Sequence, residues 1–189
     1  MSALFAATYP ERVSSLVLYG TFARMVRAPD FPLGLPAEAL DRWGQMMAGE
    51  WGTPVGVEAW ARSAEGDAEF ERWWARLLRQ GTSRAGAIAL MDLYREIDTR
   101  SILPSIDVPT LVLHRTDDRV VLAPQGRYLA EEIPPARYVE VDGIDHLAWV
   151  GDQDSLVDEI EEFLVGSRRA HEPVRALATL LFTDILGST

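Results

Sequence analysis

Apolar and polar positions along the chain predict strands that alternate with helices. The continuous apolar run at residues 14–19 is typical of a strand covered on both faces, and strands are also predicted at 108–114 and 136–141. Helices are predicted at residues 2–8, ending before Pro10, and at 124–133. A last helix, ending at Gly166, is expected to carry one apolar face formed by Leu156, Val157, Ile160, Phe163 and Leu164. This alternation favours an α/β fold with a parallel sheet and right-handed crossovers.

The middle of the chain has a different pattern. A Pro/Gly-rich loop at residues 29–36 precedes a stretch, about 37–98, that is helical in character and broken by glycines. Five of the six tryptophans fall here, at positions 43, 51, 60, 73 and 74. Two interpretations stay open: a helical layer whose aromatic residues pack against one another, or a lid that turns some of them towards a ligand in an apolar pocket.

Composition narrows the possible functions. The chain has no Cys, which excludes thiolate nucleophiles and Cys-ligated zinc within it, and all 18 basic residues are Arg, which excludes lysine Schiff-base chemistry. A net charge of −11 argues against a nucleic-acid partner. We expect no membrane span, because no apolar run reaches the roughly 18 residues required, and no signal peptide, because the first residues lack a basic segment and a cleavage site.

Two positions after predicted strands carry candidate chemistry. Asp118 lies in the turn HRTDDRVV that follows the strand at 108–114, and His146 lies in the loop GIDHLAW that follows the strand at 136–141. The carboxyl ends of parallel strands meet at one edge of a sheet, so these residues suit an orienting carboxylate and a general base. Asp117 is a near-equal candidate by position. His114 is expected to pack in the core, and His171 to lie in a solvated linker.

Three segments resemble the C-terminal half of an α/β-hydrolase. FAATYPERVSSLVLYGTF is similar to the helix after the nucleophile elbow and the sixth strand, PTLVLHRTDDRVV to the seventh strand and its acid turn, and VDGIDHLAWVGD to the loop of the catalytic histidine. Arg115 occupies the place of the family's usual Gly in the acid turn. The resemblance implies a partial α/β-hydrolase fold over residues 1–166 (strands six to eight with a helical cap at about 29–98), with Asp118 as the acid and His146 as the base.

The nucleophile that the resemblance implies is not in the sequence. The family places it on G-x-S-x-G just before the helix at residues 2–8, and no such motif occurs in the chain. Ser2 lies close to that place but has no flanking Gly and falls a few residues too late. We therefore expect a chain truncated at its N-terminus that has no turnover by itself.

The C-terminal segment LATLLFTDILGST resembles the first strand of a class III nucleotidyl cyclase domain. The resemblance implies that Asp184 and the carbonyl of Ile185 bind Mg²⁺ or Mn²⁺, that ATP or GTP is the substrate, and that the parent protein forms a homodimer through the cyclase domain. It divides the chain into a hydrolase part at 1–166, a linker at 167–175 and the start of a cyclase at 176–189.

Together these resemblances favour a fragment of an intracellular, cytoplasmic signalling enzyme. In this interpretation a hydrolase-like domain with a small molecule under its cap precedes a cyclase that makes a cyclic nucleotide. The alternatives are an ordinary esterase or haloperoxidase-like hydrolase, and a non-catalytic ligand-sensing domain. The hydrolase part implies no cofactor.

Overall fold

The computed structural model describes residues 1–166, and a parallel sheet organises them. Strand β1 (Leu16–Tyr19) pairs with β2 (Thr110–Arg115), which pairs with β3 (Ala136–Val141), so the order is β1-β2-β3. Leu16 aligns with Thr110, and Thr110 with Ala136, so all three strands end at one edge. The α/β-hydrolase expectation of a parallel sheet with helices is confirmed.

Seven α-helices accompany the strands in residues 1–166. They are α1 (Ser2–Thr8), α2 (Ala37–Gly49), α3 (Val57–Trp60), α4 (Ala68–Gly81), α5 (Arg84–Glu96), α6 (Ala123–Glu132) and α7 (Asp154–Val165). Short 3-10 helices cover Pro10–Arg12, Arg62–Ala64 and Arg100–Ser105. Side chains cap the N-termini of α4 and α5. The Asp67 carboxylate accepts hydrogen bonds from the amides of Glu69 and Phe70, and the Ser83 hydroxyl accepts one from the amide of Gly86.

The sheet and its helices form the first hydrophobic core. Every residue of β2 is buried, because α6 and α7 both pack against β2 and β3. The core joins Leu16 and Leu18 of β1 to Val112 of β2, with Leu129 and Ile133 from the α6 region. The middle strand is thus fixed on both sides, which holds the turns at its carboxyl end in place.

The helices between β1 and β2 form a cap with its own core. Trp74, Leu78 and Met47 are buried there together with Leu147, which comes from the loop after β3. Leu147 therefore ties the cap to the edge of the sheet where the strands end.

Helix α7 departs from the expected pattern. It ends at Gly166, whose φ of +78° is the left-handed conformation that favours glycine. Of the five residues predicted to form its apolar face, Leu156 is buried, Ile160 and Phe163 are half-buried, and Val157 and Leu164 are exposed, so residues 1–166 cover only part of that face.

Candidate active site

Asp118 lies in the turn that follows β2, and its side chain is fully buried. Its Oδ1 accepts hydrogen bonds from the amides of Val120 (2.8 Å) and Val121 (3.1 Å). These two amides fix the position of the carboxylate. Asp117, the alternative candidate, is exposed.

His146 lies in the loop after β3 and meets Asp118 directly. Its Nδ1 is 2.7 Å from Asp118 Oδ2, and its side chain is mostly buried. An ionised carboxylate can only accept hydrogen bonds, so the N–H group of the neutral imidazole is at Nδ1 and donates a hydrogen bond to Asp118. This tautomer leaves the lone pair on Nε2. The structure thus brings the two predicted residues into the arrangement of an oriented base.

Gly20, directly after β1, completes this edge. Its φ is +52°, and a Cβ atom at this position would lie 3.1 Å from His146 Cε1 and 3.6 Å from Asp118 Oδ2. Glycine is therefore required both by the backbone conformation and by the close approach of the imidazole.

A second histidine lies behind the pair. His114 is fully buried, and its Nε2 donates a hydrogen bond of 2.6 Å to the carbonyl of Val121. The same Nε2 lies 3.6 Å from Asp118 Oδ2. Burial lowers the pKa of His114, against the opposing effects of its hydrogen bond to Val121 and the nearby Asp118. His114 is the packed core histidine expected from the sequence, and it anchors the turn that supplies the amides to Asp118.

A buried charged pair supports the His146 loop from below. Arg115 Nη2 donates to the carbonyls of Val150 (2.8 Å) and Asp152 (3.0 Å), and its Nη1 lies 3.9 Å from Asp145 Oδ2. Asp145 Oδ1 accepts from the amide of Ser63 in the cap at 2.8 Å. Arg115, which replaces the family's usual Gly, therefore connects the acid turn to both ends of the loop that carries His146.

The cap contacts His146 through Trp60. The Trp60 carbonyl accepts from the amides of both His146 and Leu147 at 3.0 Å. Its ring meets the imidazole edge to face, with 4.8 Å between centroids. The orientation of the imidazole is thus set by the carboxylate on one side and by the cap on another.

Next to the pair is a cavity of about 480 Å³, a volume within the usual range for small-molecule sites. Gly20, Tyr19 and His146 line its floor, and Ser2 at the start of α1 also lines it. The cap side of the wall is aromatic and aliphatic, formed mainly by Trp43, Trp60, Leu90, Leu93, Tyr94 and Ile97. Two of the cap tryptophans therefore face the cavity, whereas Trp74 is buried in the cap core and Trp73 is largely exposed.

Comparison with protein families decides the assignment of the fold. The model of the alpha/beta hydrolase fold matches residues 1–152, most of the chain. The chain belongs to this family.

Individual α/β-hydrolases similar to the chain are esterases and lactonases. A pimeloyl-[acyl-carrier protein] methyl ester esterase of Neisseria meningitidis is 27% identical over 164 residues, covering 85% of this chain and 64% of the relative. The enzyme of the same name from Xanthomonas campestris is 28% identical over 169 residues, covering 86% and 66%. The crystal structure of an enol-lactonase from Burkholderia xenovorans LB400 superimposes with a TM-score of 0.70 at 24% identity, covering 87% of this chain and 61% of that one. The chain thus spans about two thirds of the length of these proteins or slightly less.

These findings correct the expectation of a signalling cyclase. The family match is a hydrolase, and the two curated relatives named above are esterases, so the interpretation of the protein as a signalling cyclase is wrong. It depended on a motif of a few residues at the C-terminus, whereas the hydrolase family model matches residues 1–152. Asp184, Ile185 and His171 lie outside the described residues.

Within residues 1–166 there is no cluster of three or more side chains suited to a metal ion. No helix in the same part of the chain is long and apolar enough to cross a bilayer.

Sequence reasoning missed the groups around the pair. Gly20, Trp60 and the Arg115–Asp145 pair all contact the His146 loop, yet only the unusual Arg115 in an otherwise hydrolase-like turn gave a signal. An arginine in the place of a glycine at a buried turn needs a carboxylate to balance its charge. Asp145, the neighbour of His146, is the carboxylate that this argument could have identified.

Proposed function

We propose that the protein is a carboxylic ester hydrolase in which Asp118 orients His146 as the general base. The observation that carries this proposal is the 2.7 Å hydrogen bond from His146 Nδ1 to buried Asp118 Oδ2 at the floor of an apolar cavity. The relatives whose names describe methyl ester esterases support the same reaction class.

In this reaction His146 Nε2 removes the proton from an attacking hydroxyl as its oxygen bonds to the ester carbonyl carbon. Asp118 stabilises the imidazolium that forms, and the imidazolium then gives its proton to the leaving alkoxide as the ester C–O bond breaks. In a second step His146 takes a proton from water, which attacks the acyl group left on the first attacking oxygen and releases the carboxylic acid. In the α/β-hydrolase family the first attacking hydroxyl belongs to a serine on G-x-S-x-G, and the 189 residues contain no such motif. The proton transfers at His146 need no cofactor.

The cavity suggests the class of substrate. Among residues 1–166, its lining contains no acidic or basic side chain other than His146, so it favours a small uncharged ester with an apolar acyl or alcohol group. The cap at about residues 29–98 would close over this group.

Hydrolysis of p-nitrophenyl butyrate by the protein expressed from its complete reading frame tests the proposal. We expect His146→Ala and Asp118→Asn each to lower kcat/KM by about 10³-fold or more, whereas Asp117→Asn, at the exposed neighbouring carboxylate, leaves it unchanged. A folded complete protein that hydrolyses no ester in a panel of acyl lengths would refute the proposal and favour a ligand-sensing domain.

The 189-residue chain is assayed beside the complete protein, and we expect no turnover from it. Turnover that His146→Ala abolishes would mean that a nucleophile lies within these residues. Ser2 would then be the first to substitute, because it lines the same cavity as His146.

A further inference from the structure

A second, smaller cavity lies inside the cap, directly behind the wall of the first. Its volume is about 140 Å³, close to that of an engineered cavity of about 150 Å³ that binds benzene. Four residues line both cavities, namely Trp43, Trp60, Leu90 and Tyr94. One layer of side chains therefore separates the inner cavity from the space beside His146.

The lining of the inner cavity is mainly apolar. Besides the shared wall, its lining consists of Met47, Trp51, Trp74, Leu78, Ala87 and Met91. The two polar atoms of its own tryptophans are already satisfied by backbone carbonyls: Trp51 Nε1 donates to Thr82 (3.0 Å) and Trp74 Nε1 to Val55 (2.8 Å). These two indoles consequently offer carbon surface to an occupant rather than hydrogen bonds, whereas the indole nitrogen of Trp60 in the shared wall is buried and has no hydrogen-bond partner among the described residues.

Adjustable side chains lie directly behind the wall that separates the two cavities. Trp43 and Trp60 are stacked, with 6.2 Å between centroids, and Trp60 in turn contacts His146. Met47 and Met91 are unbranched and polarisable, and such side chains repack around ligands of different shape. Displacement of the wall would join the inner cavity to the reaction site.

We infer that the inner cavity is a specificity subsite that binds the uncharged hydrocarbon end of the ester, an aromatic ring or a chain of about six carbon atoms. This inference rests on the proposed function for its catalytic consequence, but the binding itself does not require turnover. Each methylene group moved from water into such a site favours binding by about fourfold.

Binding is tested on the 189-residue chain with benzene as the probe and methyl-¹³C-methionine as the reporter. The chain has five methionines, of which Met47 and Met91 line the inner cavity and Met25 lines only the outer one. We expect saturable shifts of the Met47 and Met91 methyl signals, with the Met25 signal unchanged. Shifts at Met25 alone, or no saturable shift at Met47 and Met91, would overturn the inference.

Catalysis is tested on the complete protein with Ala87→Leu, which fills the cavity from α5. The matched control is Ala85→Leu, the same change at an exposed position of the same helix. We expect Ala87→Leu to lower kcat/KM for p-nitrophenyl octanoate at least tenfold relative to p-nitrophenyl acetate, and Ala85→Leu to leave that ratio unchanged. An unchanged ratio in folded Ala87→Leu would overturn the role in specificity.

The outcomes separate this inference from the proposed function. If benzene shifts neither methionine signal while the complete protein hydrolyses esters normally, the subsite is refuted and the proposed function is not. Benzene binding at Met47 and Met91 in a complete protein without hydrolysis refutes the esterase alone. If Ala87→Leu does not fold, the methionine experiment, which uses the unchanged chain, decides.

Discussion

Replacement of Arg115 by Met should destabilise the protein more than replacement of any exposed arginine. The Arg115 side chain is 1% exposed, and its guanidinium is held by two carbonyls and Asp145. A Cβ on Gly143 or Gly151 would lie within 2.9 Å of Arg115 side-chain atoms, so the Arg115 side chain fits only because both positions are glycine. Met fills much of the same space without the charge.

The expected loss follows from what remains after the substitution. Asp145 is itself 2% exposed at its side chain and would keep the Ser63 amide as a partner, but without a neighbouring cation. Removing one partner of a buried ion pair typically costs 3–5 kcal/mol. Since Nη1 and Oδ2 are 3.9 Å apart, we expect the lower end, about 3 kcal/mol in the free energy of unfolding. That is a large part of the 5–15 kcal/mol that is usual for a domain.

Urea unfolding followed by tryptophan fluorescence measures this loss, with Arg119→Met as the control at an exposed position of the same turn. The double variant Arg115→Met/Asp145→Leu should recover part of the loss, because replacing both members of a buried pair by apolar residues is often nearly neutral. A free energy of unfolding for Arg115→Met within about 0.5 kcal/mol of the unchanged protein, the range of ordinary surface substitutions, would refute the reasoning.

Three other predictions concern the site and the sheet. Gly20→Ala should keep the fold but displace His146, with a crystal structure showing the imidazole moved from Asp118 and hydrolysis by the complete protein falling at least tenfold; an unmoved imidazole would contradict this. Burial lowers the pKa of His114, so below about pH 6.5 the unfolded state binds a proton at this residue that the folded state does not. The free energy of unfolding should therefore fall as the pH drops below about 6.5. Urea unfolding at several pH values measures this fall, which should be less steep in His114→Asn. Among residues 1–166 the outer edge of β1 pairs with no strand, so the 189-residue chain should associate at micromolar concentration, and sedimentation as a single monomer would contradict this.

The parts of the fold that were predictable are those with local signals. The observed limits of β3 and α1 are the predicted ones. A short run with apolar residues marks β3, and Pro10 marks the end of α1. Strand β1 begins at Leu16 rather than Ser14, since its first backbone pairing is to the segment at Pro109. Asp118 and His146 were identifiable because each follows a strand.

The contacts that make the pair a site were not predictable in the same way. Ser63 and Asp145 are 82 positions apart, and Arg115 and Val150 are 35 apart, so no periodicity or turn pattern records their meeting. The choice of Asp118 over Asp117 likewise depends on which carboxylate turns inward, which the structure settles by burying Asp118. Tertiary packing decides such questions.

The central claim is that Asp118 and His146 act as one unit in ester hydrolysis, and a double-mutant cycle on the complete protein tests it most directly. We predict that Asp118→Asn and His146→Ala each lower kcat/KM for p-nitrophenyl butyrate by about 10³-fold or more, and that the double variant loses little beyond the larger single loss. Losses that multiply, so that the double variant falls by the product of the two single effects, would show that the residues act independently and would contradict the account.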